Sequence, residues 1–262
     1  MDGAVYAHYE TGQYTPTDIY LDDKEYGRAL DTIVKGCVDV VVTDNGLGKV
    51  LLLKRIIEPQ SDWWVLGGRM QAGETPAEAA ARNMKREAGL SIEPQRFKFL
   101  CVLSLLWQHR REEPADNGCA DISLTFTVQL SPEEIEAIAM DRAEYGDACW
   151  VDPASIIPDA SYHTAVRRVL QHITIRKEEE EVHTAIEAGL PDEDIGKLAR
   201  IRHRAHKALT DIERKPHKNV RCYGSAQERA VLLKASQAAQ SAISINATAA
   251  GIGSWVYKTL GY

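Results

Sequence analysis

The chain has 262 residues, a formal net charge of −7 and 44% hydrophobic residues, enough for one medium domain and a smaller one. No run on the order of eighteen apolar residues occurs, and the N-terminus lacks a basic-then-apolar leader; this argues against membrane spanning and secretion and for a cytoplasmic protein. The five cysteines (Cys37, Cys101, Cys119, Cys149 and Cys222) form no CxxC pair and no zinc-ligand spacing, so they read as free thiols.

Residues 1–30 are polar and tyrosine-rich, with no clear periodicity. Val38–Thr43 and Lys49–Arg55 are apolar β-branched or aliphatic runs flanking Asn45-Gly46, a strong hairpin signal. Further strands are expected at Trp63–Leu66, Phe97–Trp107, Asp121–Leu130 and Cys149–Val151, and helices at 76–88, 132–139 and about 162–174. The pattern changes near residue 175. From Arg176 onward no strand pattern is visible: Lys177–Ala188 opens with a run of glutamates, Leu190-Pro191 breaks it, and a helix is expected from Asp192 to about Arg214. Leu198, Ile201, Ala205, Ala208 and Ile212 form its apolar stripe. Ser225 and Glu228 make a capping box for another helix to about Ala247, and the tail carries Trp255, Val256, Tyr257 and Leu260. The expected division is therefore an N-terminal segment (1–30), a strand-bearing domain (31–175) and a helical extension (176–262). Small residues and an apolar tail in that extension suggest a partner interface, hence a homo-oligomer or larger assembly. Lys197 to Arg221 is basic; a solvated face balancing the preceding acidic helix is favoured over a polyanion-binding face, since aromatic residues for stacking bases are scarce there. Nucleic acid is not an expected partner.

The stretch Gly67–Leu90, GGRMQAGETPAEAAARNMKREAGL, carries the most information. Thr75, Pro76 and Glu78 supply an N-cap hydroxyl, a proline at the first helical position and a glutamate that can bond back. Gly89 suits a left-handed C-cap. Gly68, Glu74, Arg82, Glu87, Gly89 and Leu90 stand in the register G-x5-E-x7-R-x4-E-x-G-hydrophobic. That register resembles the Nudix box. The resemblance implies an α/β fold, a Nudix-type α/β/α sandwich with a mixed sheet, here followed by an α-helical C-terminal extension.

The box is reduced. Asn83 and Arg86 stand where the family carries acidic residues, and only Glu87 keeps its carboxylate. Residues at i, i+3 and i+4 share a helical face, so the usual trio gathers several divalent ions; here Arg86 would repel a neighbouring ion, which leaves room for one Mg²⁺ held partly by the substrate's phosphates. A reduced box opening with GGR-x-Q, together with Trp107-Gln108-His109 and the segments SPEEIE and ACWVDPASII, resembles the GDP-mannose mannosyl hydrolase branch over about residues 34–170. That resemblance implies attack at the anomeric carbon of a nucleotide sugar, giving nucleoside diphosphate and free sugar.

Carried over position by position, it implies one Mg²⁺ held by Glu87, the Gly67 carbonyl and Glu144. Arg55 and Arg69 would neutralise the departing diphosphate, and Asp39 and His109 match polar active-site residues. Tyr145 stands where the branch has a histidine general base; a phenol titrating near 10 is a poor base, so a slow enzyme is expected. Other readings remain open: Arg82 and Glu74 as braces of the loop, His109 as a polar strand-end residue, Glu144 and Tyr145 as loop residues, Glu87 as a solvated helix residue. The alternative function is a catalytically attenuated Nudix-fold protein serving in binding or assembly through its C-terminal helices.

Overall fold

The computed structural model describes residues 6–17, 19–217 and 220–222, together with Ala230 and Lys234; the helix expected after Ser225 and the apolar tail fall outside them. The chain divides into two units, Met1–Val220 and Arg221–Tyr262. In the first, the order is α1 (Asp23–Leu30), β1 (Val34–Thr43), β2 (Val50–Arg55), β3 (Trp63–Trp64), β4 (Leu66–Arg69), α2 (Pro76–Ala88), β5 (Lys98–Trp107), β6 (Cys119–Gln129), α3 (Pro132–Glu136), β7 (Tyr145–Val151), α4 (Pro153–Ile156), α5 (Thr164–Glu187) and α6 (Asp192–Arg214).

β1 is the centre of a mixed sheet. From Val38 to Val42 it is buried without interruption, as a strand covered on both faces must be. It pairs in parallel with β6 and antiparallel with β4, with Asp39 opposite Gly67. β5 pairs with β6, while β2 pairs with β3 and β7. The expected hairpin forms its connection but pairs only Thr43 with Val50. The loop is wider than the two-residue turn that Asn-Gly suggests: Asp44 Oδ1 accepts the N–H groups of Gly48 and Lys49 at 2.7 and 2.8 Å, and Gly46 and Leu47 both take positive φ. Past that loop the strands diverge. The expected single strand Trp63–Leu66 is likewise two: β3 lies on β2, the chain crosses at Val65, and β4 lies on β1.

Alternation along β1 sorts side chains between two cores. Val38, Val40 and Val42 pack with Ala79, Ala80, Met84 and Ala88 of α2, and with Phe126 and Tyr145. Val41 packs on the opposite face, with Trp64, Leu103 and the α5 residues Val166, Val169, Leu170 and Ile173. The result is the α/β/α sandwich implied by the box, plus the helices α5 and α6.

α2 forms as its sequence dictates. Thr75 Oγ1 accepts the Glu78 N–H at 3.3 Å, Glu78 Oε2 accepts the Thr75 N–H at 2.8 Å, and Gly89 closes the helix at φ 70°. α3 ends at Glu136, earlier than expected, because the next residues bond elsewhere. The Ala139 N–H donates to Ala88 O and the Asp141 N–H to Glu87 O, both at 2.9 Å. These contacts satisfy carbonyls that every helix C-terminus leaves open, and they bring Glu144 and Tyr145 against α2.

α5 runs unbroken through residue 175, where the composition changes. Its first half is in the core and its second half meets α6, whose Leu209 and Ile212 are buried while Ile201 is exposed. The acidic and basic runs partly pair, as in Arg202 with Glu179. Among the described residues no helix is long and apolar enough to cross a membrane.

Leu170 is fully buried between α5 and the sheet, whereas Leu106 on β5 is 66% exposed. Leu170→Ala is expected to cost about 2–5 kcal/mol by urea unfolding, and Leu106→Ala less than about 0.5 kcal/mol. Equal losses would mean that α5 does not close the second core.

Candidate active site at the junction of α2, β4 and β7

Where β1 and β2 part, a cavity of about 210 Å³ opens, its wall including Asp39, Arg55, Gly67, Gly68, Arg69, Arg86, Glu144 and Tyr145. The expected site residues Asp39, Arg55, Gly67, Arg69, Glu144 and Tyr145 are thus brought together from five strands and loops. His109 is set apart from them. It does not line the cavity, and its half-exposed ring meets the exposed Asp116 at 3.1 Å.

Glu87 lies directly beneath the wall, fully buried near the end of α2. Its Oε2 accepts the Gly67 N–H at 3.1 Å and the Tyr145 hydroxyl, and its Oε1 accepts Nη2 of Arg86. It is no solvated helix residue. Burial pushes its carboxyl up, while Tyr145 and Arg86 pull it back down. The same burial, with the Glu87 charge added, drives the Tyr145 phenol far upward. Tyr145 therefore donates a hydrogen bond and does not accept a proton, and it stands on β7 within the core, not in a loop.

The other box positions are committed too. Asn83 donates through Nδ2 to Gly68 O at 3.3 Å and accepts from Arg82 Nη1 at 3.0 Å, joining α2 to β4. Arg82 bonds Glu74 and the Arg69 carbonyl, the bracing role that was one of its two readings. Gly67 must be glycine: a Cβ there would come within 2.5 Å of Asp39 Oδ1 and Val38 O.

Asp39 is buried and its Oδ2 accepts the Ser123 hydroxyl at 2.6 Å. Burial pushes its carboxyl up to about 6, against the pull of Ser123 and Arg55. Nε of Arg55 is buried with no hydrogen-bond partner among the described residues. The Arg69 guanidinium lies 4.7 Å over the ring of Tyr26, which α1 contributes from the N-terminal segment. Sequence reasoning passed over Lys35, Asp121 and Ser123. Lys35 and Asp121 pair at 3.3 Å, and Trp107 Nε1 donates to Asp121 at 2.8 Å. A signal existed: Asp121, Ser123, Thr125 and Thr127 alternate along β6 and are all buried, a polar stripe on an inward face.

The donor set does not fit the expected Mg²⁺. That ion wants near-octahedral oxygen ligands. Here both oxygens of Glu87 already accept hydrogen bonds, a guanidinium adjoins them, and among the described residues no three His, Cys, Asp or Glu side chains gather as a metal site.

A model of the NUDIX domain matches residues 35–173. Among solved structures, a MutT NUDIX hydrolase from Burkholderia pseudomallei is 21% identical, with 53% of this chain and 98% of that chain covered and a TM-score of 0.41. A MutT/nudix family protein from Enterococcus faecalis is 20% identical over 46% of this chain and 44% of that one, TM-score 0.36. A 44-residue stretch is 50% identical to an octanoyltransferase of Myxococcus xanthus, covering 17% of this chain and 12% of that protein. The chain thus spans only a small part of that curated relative, and less than half of the E. faecalis protein.

The Asp39 carboxyl, raised from 3.8 to about 6, holds its proton more tightly folded than unfolded. Its contribution to stability is full below about pH 3.8 and is lost as pH rises through about 6. Asp39→Asn is therefore expected to raise the unfolding free energy at pH 8 by about 1–3 kcal/mol, with a smaller gain at pH 4. Urea unfolding at the two pH values measures this, and a gain independent of pH would contradict it.

Proposed function

The chain belongs to the NUDIX domain family, and from that premise we propose that it binds a nucleotide sugar and hydrolyses it slowly at the anomeric carbon. The observation that carries this reading is the convergence of Arg55, Arg69 and Arg86 on one cavity that also exposes Asp39 and Glu144. Guanidinium groups suit a diphosphate, whose oxygens accept paired N–H bonds. GDP-mannose or a relative is the substrate favoured by the likeness of GGR-x-Q and Trp107-Gln108-His109 to the mannosyl hydrolase branch.

In this reading a water oxygen attacks the anomeric carbon. The bond from that carbon to the diphosphate oxygen breaks, and its electron pair stays on the diphosphate, held by Arg55 and Arg69. The leaving group is good once its charge is balanced, and the sugar passes through an oxocarbenium-like state. The water's proton goes to Asp39, which lies in the wall beside Gly67. Tyr145 takes no part as a base, because its hydroxyl is committed to Glu87. Mg²⁺ enters no step. The rate is slow because this base is a buried carboxylate already bonded to Ser123, in place of the branch's histidine.

A second reading, a binding or assembly protein of the same fold, is favoured by the closed bonding of Arg86, Glu87 and Tyr145. In that case residues 31–175 hold the ligand and the extension from 176 serves a partner, as in a homo-oligomer.

Hydrolysis of GDP-mannose in ¹⁸O-water, followed by NMR and mass spectrometry, separates the possibilities. The expected result is label in free mannose and none in GDP. Label in a phosphate product would overturn attack at carbon, and binding without turnover would favour the second reading. Asp39→Asn should lower kcat by about 10²–10⁴-fold with KM little changed, the size of a lost general base.

A further inference from the structure

The α2 face that in a full box carries three carboxylates here carries Asn83, Arg86 and Glu87. Three carboxylates on one turn repel one another and need cations between them. An amide, a guanidinium and a carboxylate sum to no net charge and need none. Asn83 is spent on backbone, with its Nδ2 on Gly68 O at 3.3 Å. Glu87 is spent on Arg86, Tyr145 and the Gly67 N–H. A divalent ion at Glu87 would compete with the phenol and the guanidinium for its oxygens and would sit beside that same guanidinium.

Arg86 meanwhile bonds the carboxylate that an ion would need. Its Nη2 bonds Glu87, its side chain remains 45% exposed, and it lines the cavity. Gly68 leaves it room: a Cβ there would fall 2.8 Å from Nη2. The buried carboxylate holds the guanidinium through Nη2, and the side chain lines the cavity. Arg55, whose buried Nε has no hydrogen-bond partner among the described residues, adds a second donor in the same wall.

We infer that Arg86 replaces the divalent ion, so that this chain binds the diphosphate of a nucleotide without metal. The inference rests on the nucleotide reading above. It assigns Arg86 the work of neutralising phosphate charge, and Glu87 the work of aiming Arg86.

Calorimetry on the full chain tests it in two arms. In the first, GDP is titrated with EDTA present and then with Mg²⁺. Wild-type affinity is expected to be the same in both, and Arg86→Gln to weaken it by about 10- to 100-fold, the value of a charge-assisted hydrogen bond. Wild-type binding that EDTA abolishes would overturn the inference while leaving the nucleotide reading intact. In the second arm Mn²⁺ alone is titrated. Wild type is expected not to bind it, and Arg86→Glu to bind it. Wild-type Mn²⁺ binding that disappears in Glu87→Gln would overturn the inference without any nucleotide. Absence of GDP binding in both conditions would sink the nucleotide reading on which the inference rests; the Mn²⁺ arm then decides the metal question by itself. Because Arg86→Gln leaves a buried carboxylate without its cation, Arg86→Lys is run beside it as a variant that keeps the charge. It should bind GDP more tightly than Arg86→Gln and remain indifferent to EDTA.

Discussion

A buried carboxylate must be matched by donors or it destabilises whatever encloses it, by about 3–5 kcal/mol when a partner is removed. Glu87 is such a group, and the centre of the molecule is arranged to supply its donors. Gly67 brings β4, Tyr145 brings β7, and Arg86 closes the set from the preceding position of α2. The carbonyl of Glu87 itself accepts from Asp141, so that the stretch before β7 is pinned to the same residue. One helix end, two strands and a connecting loop therefore depend on a single side chain.

That junction also explains where the cavity lies. β1 and β2 share one pair of residues beside their loop and then separate, β1 to β4 and β2 to β7. Glycine at 67 lets β4 approach β1 without a side chain between them. Polar groups that face the gap are held by one another: Asp39 by Ser123, Asp121 by Lys35 and Trp107. Trp64 and Trp107 meet edge to face at 5.6 Å and give the wall an apolar side. The cleft thus has one cationic rim and one aromatic wall.

The electrostatics of the site follow from substitution on one helical turn. In place of three acids the turn carries an amide, a guanidinium and one carboxylate, which sum to no net charge. Tyrosine at 145 fits this arrangement better than histidine would, because a phenol in an apolar core donates without taking charge. Two of the residues that depart from the family pattern, Arg86 and Tyr145, are ones that satisfy Glu87, while Asn83 joins α2 to β4 instead.

Much of this was legible in the chain itself. The capping box at Thr75, the C-cap at Gly89, the box register and the order of strands and helices all rest on local geometry, which sequence spacing encodes directly. Arg55, Asp39, Gly67 and Glu144 were grouped only through the family resemblance, not by spacing. What needed the tertiary structure was every fact about partners distant in sequence. Glu87 and Tyr145 are 58 residues apart, and nothing local says that one will satisfy the other. The same holds for the single hairpin pair, for the split of Trp63–Leu66 between two neighbours, and for α5 continuing past residue 175 because α6 lies against it. Propensity and spacing fix what each segment is; which charges meet, and so what chemistry remains free, is decided only when the segments are packed together and water is excluded between them.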